Sequence, residues 1–600
     1  MGRDAAFPIP HSDTAADAVL SATPLGAAPA QLRPAAALAG DSAGSAAIGR
    51  LRSIMTELKE EAIKPILQQA IEAVRADDWR RGGEFAIKAL EVDEQSGIAW
   101  WVLAICREKA GDVRSAITCY ETALQLLPDH AEIANDLGRL AYMLGMKDVA
   151  EKLFAHFLVR HPGHVEGTNN LACALRDQER FEDAVDLLRP VIYAEPESAL
   201  LWNTLGTVLN EQGEIEQSIT FYDEALRLDP DFAKCRYNRA NARLSTGDAL
   251  HALQDVEQAL PGAVLESEIS MMKLARATIR LCAGQVGEGW DGYEERLAPT
   301  FGDVTHFAIE RPRWEPGMDL AGKSIAVIGE QGLGDEVMFA NVLLDINEAI
   351  GEHGRLTIAV EHRLVSLFQR TFPNATVGAH ATYKVDTHVL RAAPFVEDWS
   401  KIDCWTPIAS LLRQYRRTPQ AYPHRPRFLH ADPARVGHWR DLLDGLGGQP
   451  KIGVLWKSLK LDASRRRYFS PFEQWKPVLQ RPGTTFVNLQ YGDCDAELAQ
   501  ARADGIEIWN PPGIDLKNDL DEVAALSCAL DLIIGPANAT TNIAAACGAP
   551  LWLISTPGAW PRLGTDRYPW YPQARVFTPE AFNRWDPVMA EVAEALKTAF

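Results

Sequence analysis

The chain has 600 residues, 47% of them hydrophobic and 24% charged, and a formal net charge of −21. That length is too great for one hydrophobic core, so several domains are expected, and the acidic balance argues against nucleic acid or an anionic membrane as the main partner. The nine cysteines show no CxxC pair and no regular spacing; neither a disulfide framework nor a metal site is expected, and the reading is a reducing cytoplasm.

Residues 1–48 are rich in Ala, Pro, Gly and Ser. Such a composition buries too little apolar surface to order itself, so a disordered tail is expected. The segment lacks the apolar core of a signal peptide, and no run in the chain approaches the ~20 apolar residues needed to span a bilayer.

From 49 to 300 the chain repeats. Pro128, Pro162, Pro196 and Pro230 are each 34 residues apart. Leu103, Leu137, Leu171 and Leu205 keep the same step, as do Ala104, Gly138, Ala172 and Gly206, then Ala116, Ala150, Ala184 and Ser218. Small residues where two helices touch, large ones between them and a proline at the turn make the tetratricopeptide pattern. The array is expected to be a superhelix whose groove holds a peptide or protein. Asn135, Asn169 and Asn203 share one repeat position on the first helix. An amide both donates and accepts, so this column is read as a ladder that grips an extended acceptor backbone; the bland alternative is asparagine tolerated on a solvated face.

Pro312 and Pro316 break the helical pattern that ends near Leu297, which places a boundary at 300–320. Strand and helix then alternate. Ser324–Ile328 is short, apolar and β-branched, as a covered parallel strand should be. It runs into GEQGLGDEVMF, where Gly332 and Gly334 allow a tight turn and close approach to a ligand. Asp335 then opens a helix; from spacing alone it is as readily a cap as a catalytic group. Arg355–Glu361 and Thr387–Leu390 are the next expected strands of a first half, 320–445.

A second half, 446–600, is expected from strands at 452–456, Thr485–Leu489, Leu530–Ile534 and Pro550–Ile554. Parallel α/β halves bind ligands at the carboxyl ends of their strands. At one such end stand Lys457, Ser458 and Lys460, then Arg465, Arg466 and Arg467, the densest basic patch of an acidic chain. At another, Gly535 and Pro536 turn the chain into Asn538, Thr540, Thr541 and Asn542, a capped helix start suited to phosphate. A last helix over 586–599 is expected to pack across the halves. The glycine loop is not a dinucleotide fingerprint, because Val337 stands at the third glycine position. Asp493-Cys494-Asp495 is a DxD string, which two α/β halves would not use, so no catalytic metal is expected.

The blocks GWDGYEERL, GEQGLGDEVMFA, KIGVLW, FVNLQYGD, ALDLIIGPANATTNIAAACGAPLWLI and YPWYPQARVF together resemble bacterial tetratricopeptide-repeat glycosyltransferases of the GT-B type, with two Rossmann-like halves. The chain is similar to ADP-heptose:lipopolysaccharide heptosyltransferases and, in layout, to the protein O-GlcNAc transferase. The resemblance implies Asp335 as catalytic base, Lys457 or Lys460 as a phosphate ligand, and the helix start at 538–542 as the seat of the donor's phosphates. Relatives carry D-T-x-x-x-H there; this chain has Asn538-Ala539-Thr540-Thr541-Asn542 instead. Gly332, Gly334, Ser458, Arg465 and Arg467 complete the expected donor site. The expected activity is inverting transfer of a sugar from a nucleotide donor to Ser or Thr of a protein, with no cofactor. Flagellin glycosyltransferases that use a nonulosonic acid combine a repeat array with such a domain, which suggests flagellin as acceptor and a CMP-nonulosonic acid as donor. The other readings are a scaffold with a degenerate transferase half, and a transferase acting on lipopolysaccharide or another glycan.

Overall fold

A computed structural model of the protein describes residues 42–385, 388–459, 465, 468–580 and 583–600. Most of the stretch read as a tail, up to residue 41, lies outside the described residues; its last residues belong to the first helix, Ser42–Arg75. The described residues form two compact units, divided between Thr204 and Leu205. The division falls inside the helix Ala199–Gln212. Among the described residues no helix is long and apolar enough to cross a membrane.

The first unit is built of paired helices. Val113–Leu126 follows Gly97–Lys109, Lys147–Arg160 follows Ala131–Met143, and Phe181–Ala194 follows Val165–Arg176. The pairs are close because the repeat places small residues at their contacts. Ala104, Ala116, Ala150, Ala172 and Ala184 are fully buried. A Cβ on Gly138 would lie 2.7 Å from the Phe154 ring, so only glycine allows that approach. Gly111 and Gly145 close the turns within pairs at φ 78° and 77°, where glycine bears no Cβ penalty.

The second unit continues with helices Ile215–Leu228, Ala233–Ser245, Ala249–Ala259, Glu266–Cys282 and Val286–Gly292. Beyond them lie three sheets. β1 (Thr305–Phe307), β6 (His388–Ala392) and β5 (Ala381–Val385) form a small mixed one. β2 (Ser324–Ile328), β3 (Arg355–Val360), β4 (Thr376–Ala379) and β7 (Cys404–Pro407) form a parallel sheet in the order β4-β3-β2-β7. β8 (Lys451–Val454), β9 (Thr485–Asn488), β10 (Ile508–Trp509), β11 (Leu532–Pro536), β12 (Leu551–Ile554) and β13 (Ala574–Phe577) form a second parallel sheet, ordered β10-β9-β8-β11-β12-β13. The strand expected at Thr387–Leu390 lies in the small mixed sheet, and Thr387 itself falls outside the described residues.

One apolar core joins the last repeat helices to both parallel sheets. It runs from Leu281 and Trp290 through Val327, Phe339 and Ile358 to Leu455, Ile533 and Ile543. Trp290 is its aromatic centre, with ring centroids 5.5 Å from Tyr293, 6.2 Å from Phe339, 5.8 Å from Trp560 and 6.1 Å from Trp570. Edge-to-face contacts of this kind add to the area the rings bury. The last helix, Trp585–Ala599, does not cross between the sheets as expected. Its apolar face, Trp585, Val588, Met589 and Val592, is absorbed by the six-stranded sheet's own cluster with Val454, Trp456 and Trp475.

Candidate functional site

β2 is an interior strand, so the loop that leaves it stands at the middle of its sheet's carboxyl edge. A Cβ on Gly329 would lie 2.6 Å from the carboxyl carbon of Glu336, so the glycine makes room for a buried carboxylate. Gln331 takes a left-handed φ of 63°, a conformation costing a non-glycine residue about 1 kcal/mol or more. The chain then enters the helix Leu333–Phe339, and Asp335 Oδ2 accepts the Gly332 N–H at 3.2 Å. Asp335 is thus a helix cap, and its carboxyl is also pushed up to about 6. Burial is the main cause; the Gly332 N–H opposes it, and the charges of Glu336 and Glu330 add to it. A group poised near neutrality can exchange protons at physiological pH.

The charges around Asp335 are paired with one another. Arg296 donates to both oxygens of Glu330, at 2.8 and 3.0 Å, and to Ser410. Glu336 accepts the Glu361 N–H at 2.8 Å, and its other oxygen lies 2.8 Å from His380 Nε2. Arg391 donates to the Gly329 carbonyl at 2.7 Å. Arg296, Glu330, Glu336, His380 and Arg391 were not singled out from the sequence. A charge set two residues after an apolar strand, as Glu330 is, was the one local signal available.

In the six-stranded sheet β11 is likewise interior, and Gly535 and Pro536 end it. Asn538 caps the helix Ala539–Ala546 reciprocally: its Oδ1 accepts the Thr541 N–H, and its own N–H donates to Thr541 Oγ1 at 3.0 Å. Its Nδ2 is buried and has no hydrogen-bond partner among the described residues. Thr540 and Thr541 are buried, and Thr541 Oγ1 also donates to the Pro536 carbonyl at 2.9 Å.

The two helix starts meet. Asn542 Nδ2 donates to the Gly334 carbonyl at 3.0 Å, and Asn542 Oδ1 accepts from the Tyr571 hydroxyl at 3.0 Å. A Cβ on Gly334 would lie 3.0 Å from that Nδ2 and 3.4 Å from the Ala539 nitrogen. Gly332, Gly334 and Asp335 are therefore brought together with Asn538 and Asn542. Buried tyrosines surround this place: Tyr568 stacks on Tyr571 at 5.7 Å. Burial, with the Asp335 charge adding to it, holds the phenols of Tyr568 and Tyr571 above their usual range.

Lys457 and Arg465 are the described members of the basic patch. The Lys457 ammonium is ion-paired with Glu497, and the Lys457 N–H donates to Gln490 Oε1 at 2.9 Å. Ser458 is half-buried beside it and Arg465 is exposed. Lys460, Arg466 and Arg467 lie outside the described residues.

The asparagine column belongs to the first unit. There the amides bond sideways along the array. Asn170 donates to Asn135 at 3.3 Å, Asn169 donates to Asn170 at 3.1 Å, and Thr204 donates to Asn169 at 2.6 Å. Asn203 is buried, while Asn135 and Asn169 are half-buried. Trp101 Nε1 reaches Asp136, and the Tyr142 hydroxyl reaches Asp177, with the same offset of one repeat plus one residue. The column is thus also a link between neighbouring repeats, which its spacing alone did not reveal.

Helical repeats followed by parallel sheets define a tetratricopeptide-repeat protein with a C-terminal α/β region. The tetratricopeptide repeat family model matches residues 107–164 and 169–231. Protein FlbA of Caulobacter vibrioides is 51% identical over 559 residues, covering 93% of this chain and 94% of that protein. The chain belongs to the FlbA family. Protein O-mannosyl-transferase TMTC1 of Homo sapiens is 30% identical over 34% of this chain and 23% of its own length. Among solved structures, PilW, a type IV pilus biogenesis factor, matches 33% of this chain and 91% of its own, with a TM-score of 0.31 and 21% identity. A tetratricopeptide repeat protein from Parabacteroides merdae matches 39% of this chain and 92% of its own, with a TM-score of 0.36 and 14% identity.

Proposed function

We propose that the chain is a metal-independent, inverting glycosyltransferase whose two parallel sheets are the Rossmann-like halves of a GT-B enzyme. The meeting of two helix starts at Gly334 and Asn542 carries this reading, since it sets a carboxyl with a pKa of about 6 beside a helix N-terminus. Asp335 takes the proton of an acceptor hydroxyl, whose oxygen attacks the anomeric carbon. The bond from that carbon to the nucleotide phosphate breaks, and the phosphate leaves with the electron pair. The helix start at Asn538 stabilises that charge, and the unpartnered Asn538 Nδ2 is a donor available to it.

The acceptor is a Ser or Thr of a protein held by the repeat array, in our reading flagellin, and the donor is a nucleotide-sugar such as a CMP-nonulosonic acid. Nine free thiols support a reducing cytoplasm as the place of action. The named transferase activity of the TMTC1 relative is in keeping with this assignment, although it spans a minor part of either chain.

A scaffold with a degenerate transferase half is the second reading. It is favoured by Lys457, whose charge Glu497 already neutralises, and by Asn542, whose amide is used between the helices. Purified full-length chain, flagellin and candidate nucleotide-sugars separate the two. A sugar-sized increase in flagellin intact mass, lost in Asp335→Asn, is expected. No added mass and no donor hydrolysis with any nucleotide-sugar would leave the scaffold.

A further inference from the structure

Each aromatic ring of the stretch Tyr568-Pro569-Trp570-Tyr571-Pro572 is held in place. The two prolines keep Tyr568 and Tyr571 out of helical backbone. The Tyr571 N–H donates to the Tyr568 carbonyl at 2.9 Å, which closes a β-turn with proline at its second position. Trp570 lies in the core beside Trp290, and its Nε1 donates to the Pro561 carbonyl at 3.0 Å. The rings of Tyr568 and Tyr571 lie within 8° of parallel. Phe428 is also parallel to Tyr571, at 5.9 Å and 5°.

The two phenols end differently. The Tyr571 hydroxyl donates to Asn542 Oδ1, and the same amide holds the Gly334 carbonyl, one residue before Asp335. The Tyr568 hydroxyl, one ring away, has no hydrogen-bond partner among the described residues, although the residue is 2% exposed. Buried tyrosine hydroxyls usually have a partner. Unlike the unpartnered Asn538 Nδ2, this hydroxyl is not sealed from water. Burial and the Asp335 charge hold its proton on, so it is a neutral donor. Spent on the acceptor oxygen, such a donor would withdraw the electron density needed for attack. Spent on a phosphate oxygen, it stabilises the charge that the leaving group gains.

We propose that the Tyr568 hydroxyl binds a phosphate oxygen of the nucleotide where the two helix starts meet. The assignment rests on the proposed nucleotide-dependent transfer and adds a contact which that reading does not use. Tyr571 and Asn542 are the frame, and Tyr568 is the contact. The stacked ring is fixed before the ligand arrives, so little side-chain freedom is lost on binding.

Calorimetry on the full chain with CMP, UDP, GDP and ADP in turn tests it. Tyr568→Phe is expected to weaken the nucleotide that binds most tightly by roughly 10- to 100-fold, and to bind the matching phosphate-free nucleoside as the wild type does. Its thermal midpoint should match the wild type's, because the hydroxyl bonds none of the described residues. Tyr571→Phe should lower the midpoint, because Asn542 Oδ1 loses its donor. Unchanged nucleotide affinity in Tyr568→Phe would overturn the assignment and leave the transferase reading standing. An equal loss for nucleoside and nucleotide would place the hydroxyl away from the phosphate, and would overturn it too. A wild type that binds none of the four nucleotides would overturn the transferase reading and the assignment with it.

Discussion

Asn542 holds the Gly334 carbonyl at 3.0 Å across 208 positions of sequence, and with it fixes where the helix that carries Asp335 begins. The same amide takes the buried Tyr571 hydroxyl, so one side chain ties the helix start to a phenol that would otherwise be left without a partner.

Asn542→Leu removes both bonds while keeping about the same volume. The buried hydroxyl left unpaired and the lost bond to the half-buried Gly334 carbonyl should together cost about 2–4 kcal/mol, read as a lower thermal midpoint. Transfer should fall with it. Gly334→Ala should leave stability nearer to the wild type's but widen the gap between the helices, because its Cβ meets the Asn542 amide at 3.0 Å.

Asp335→Asn keeps the bond from the Gly332 N–H but cannot accept a proton. Loss of transfer by at least ~100-fold is expected, with nucleotide affinity nearly unchanged. Near-normal turnover by this variant would remove Asp335 from the role of base. In the wild type, kcat/KM should rise as pH passes through about 6, as the carboxyl ionises.

The same residue should show itself in stability. Its folded pKa of about 6 lies above the unfolded value, so ionisation in the folded state is unfavourable. That cost is fully present above pH 6 and vanishes as pH falls below the unfolded pKa near 4. Asp335→Asn should therefore be more stable than the wild type at pH 8, by about 1–3 kcal/mol, and match it near pH 4. Equal denaturation midpoints at pH 8 would show that the carboxylate is better solvated than its surroundings imply.

Lys457 can serve a donor only by leaving Glu497. Glu497→Gln should then tighten binding of the free nucleotide by several-fold, and Lys457→Ala should weaken it, both read by calorimetry. Nucleotide affinity that neither change moves would exclude Lys457 from the donor site.

For the asparagine column, Asn→Ala at 135, 169 and 203 together should cost on the order of tenfold in affinity for the protein acceptor. It should also lower the first unit's thermal midpoint, because Asn135 and Asn169 link adjacent repeats. Donor hydrolysis without acceptor should persist. A folded triple variant that modifies flagellin at the wild-type rate would sink the grip on the acceptor.

What could be read from sequence was local in origin. The proline step of 34 set the phase of the repeats, and β2, β3, β8, β9 and β12 were found within a residue or two because an apolar β-branched run needs no distant partner to be recognised. β4, β7 and β13 were not singled out, because Gly378, Pro407 and Arg575 interrupt their apolar runs. At the site, the glycine loop and the capped helix start were legible as turn and cap chemistry. That Asn542 would bond Gly334, or that Glu497 would neutralise Lys457, depends on pairings across the fold, for which no stretch of sequence carries a sign.

Trp290 bears on where the chain can be cut. Proline and loop composition suggest that the sheets begin near residue 300, yet Phe339, Trp560 and Trp570 close around an indole supplied from before that point. A fragment starting at 300 would open a large aromatic socket to water and should aggregate. One starting ahead of Glu266 would retain the plug, and it is the shorter chain worth making for crystals of the sheets with a nucleotide.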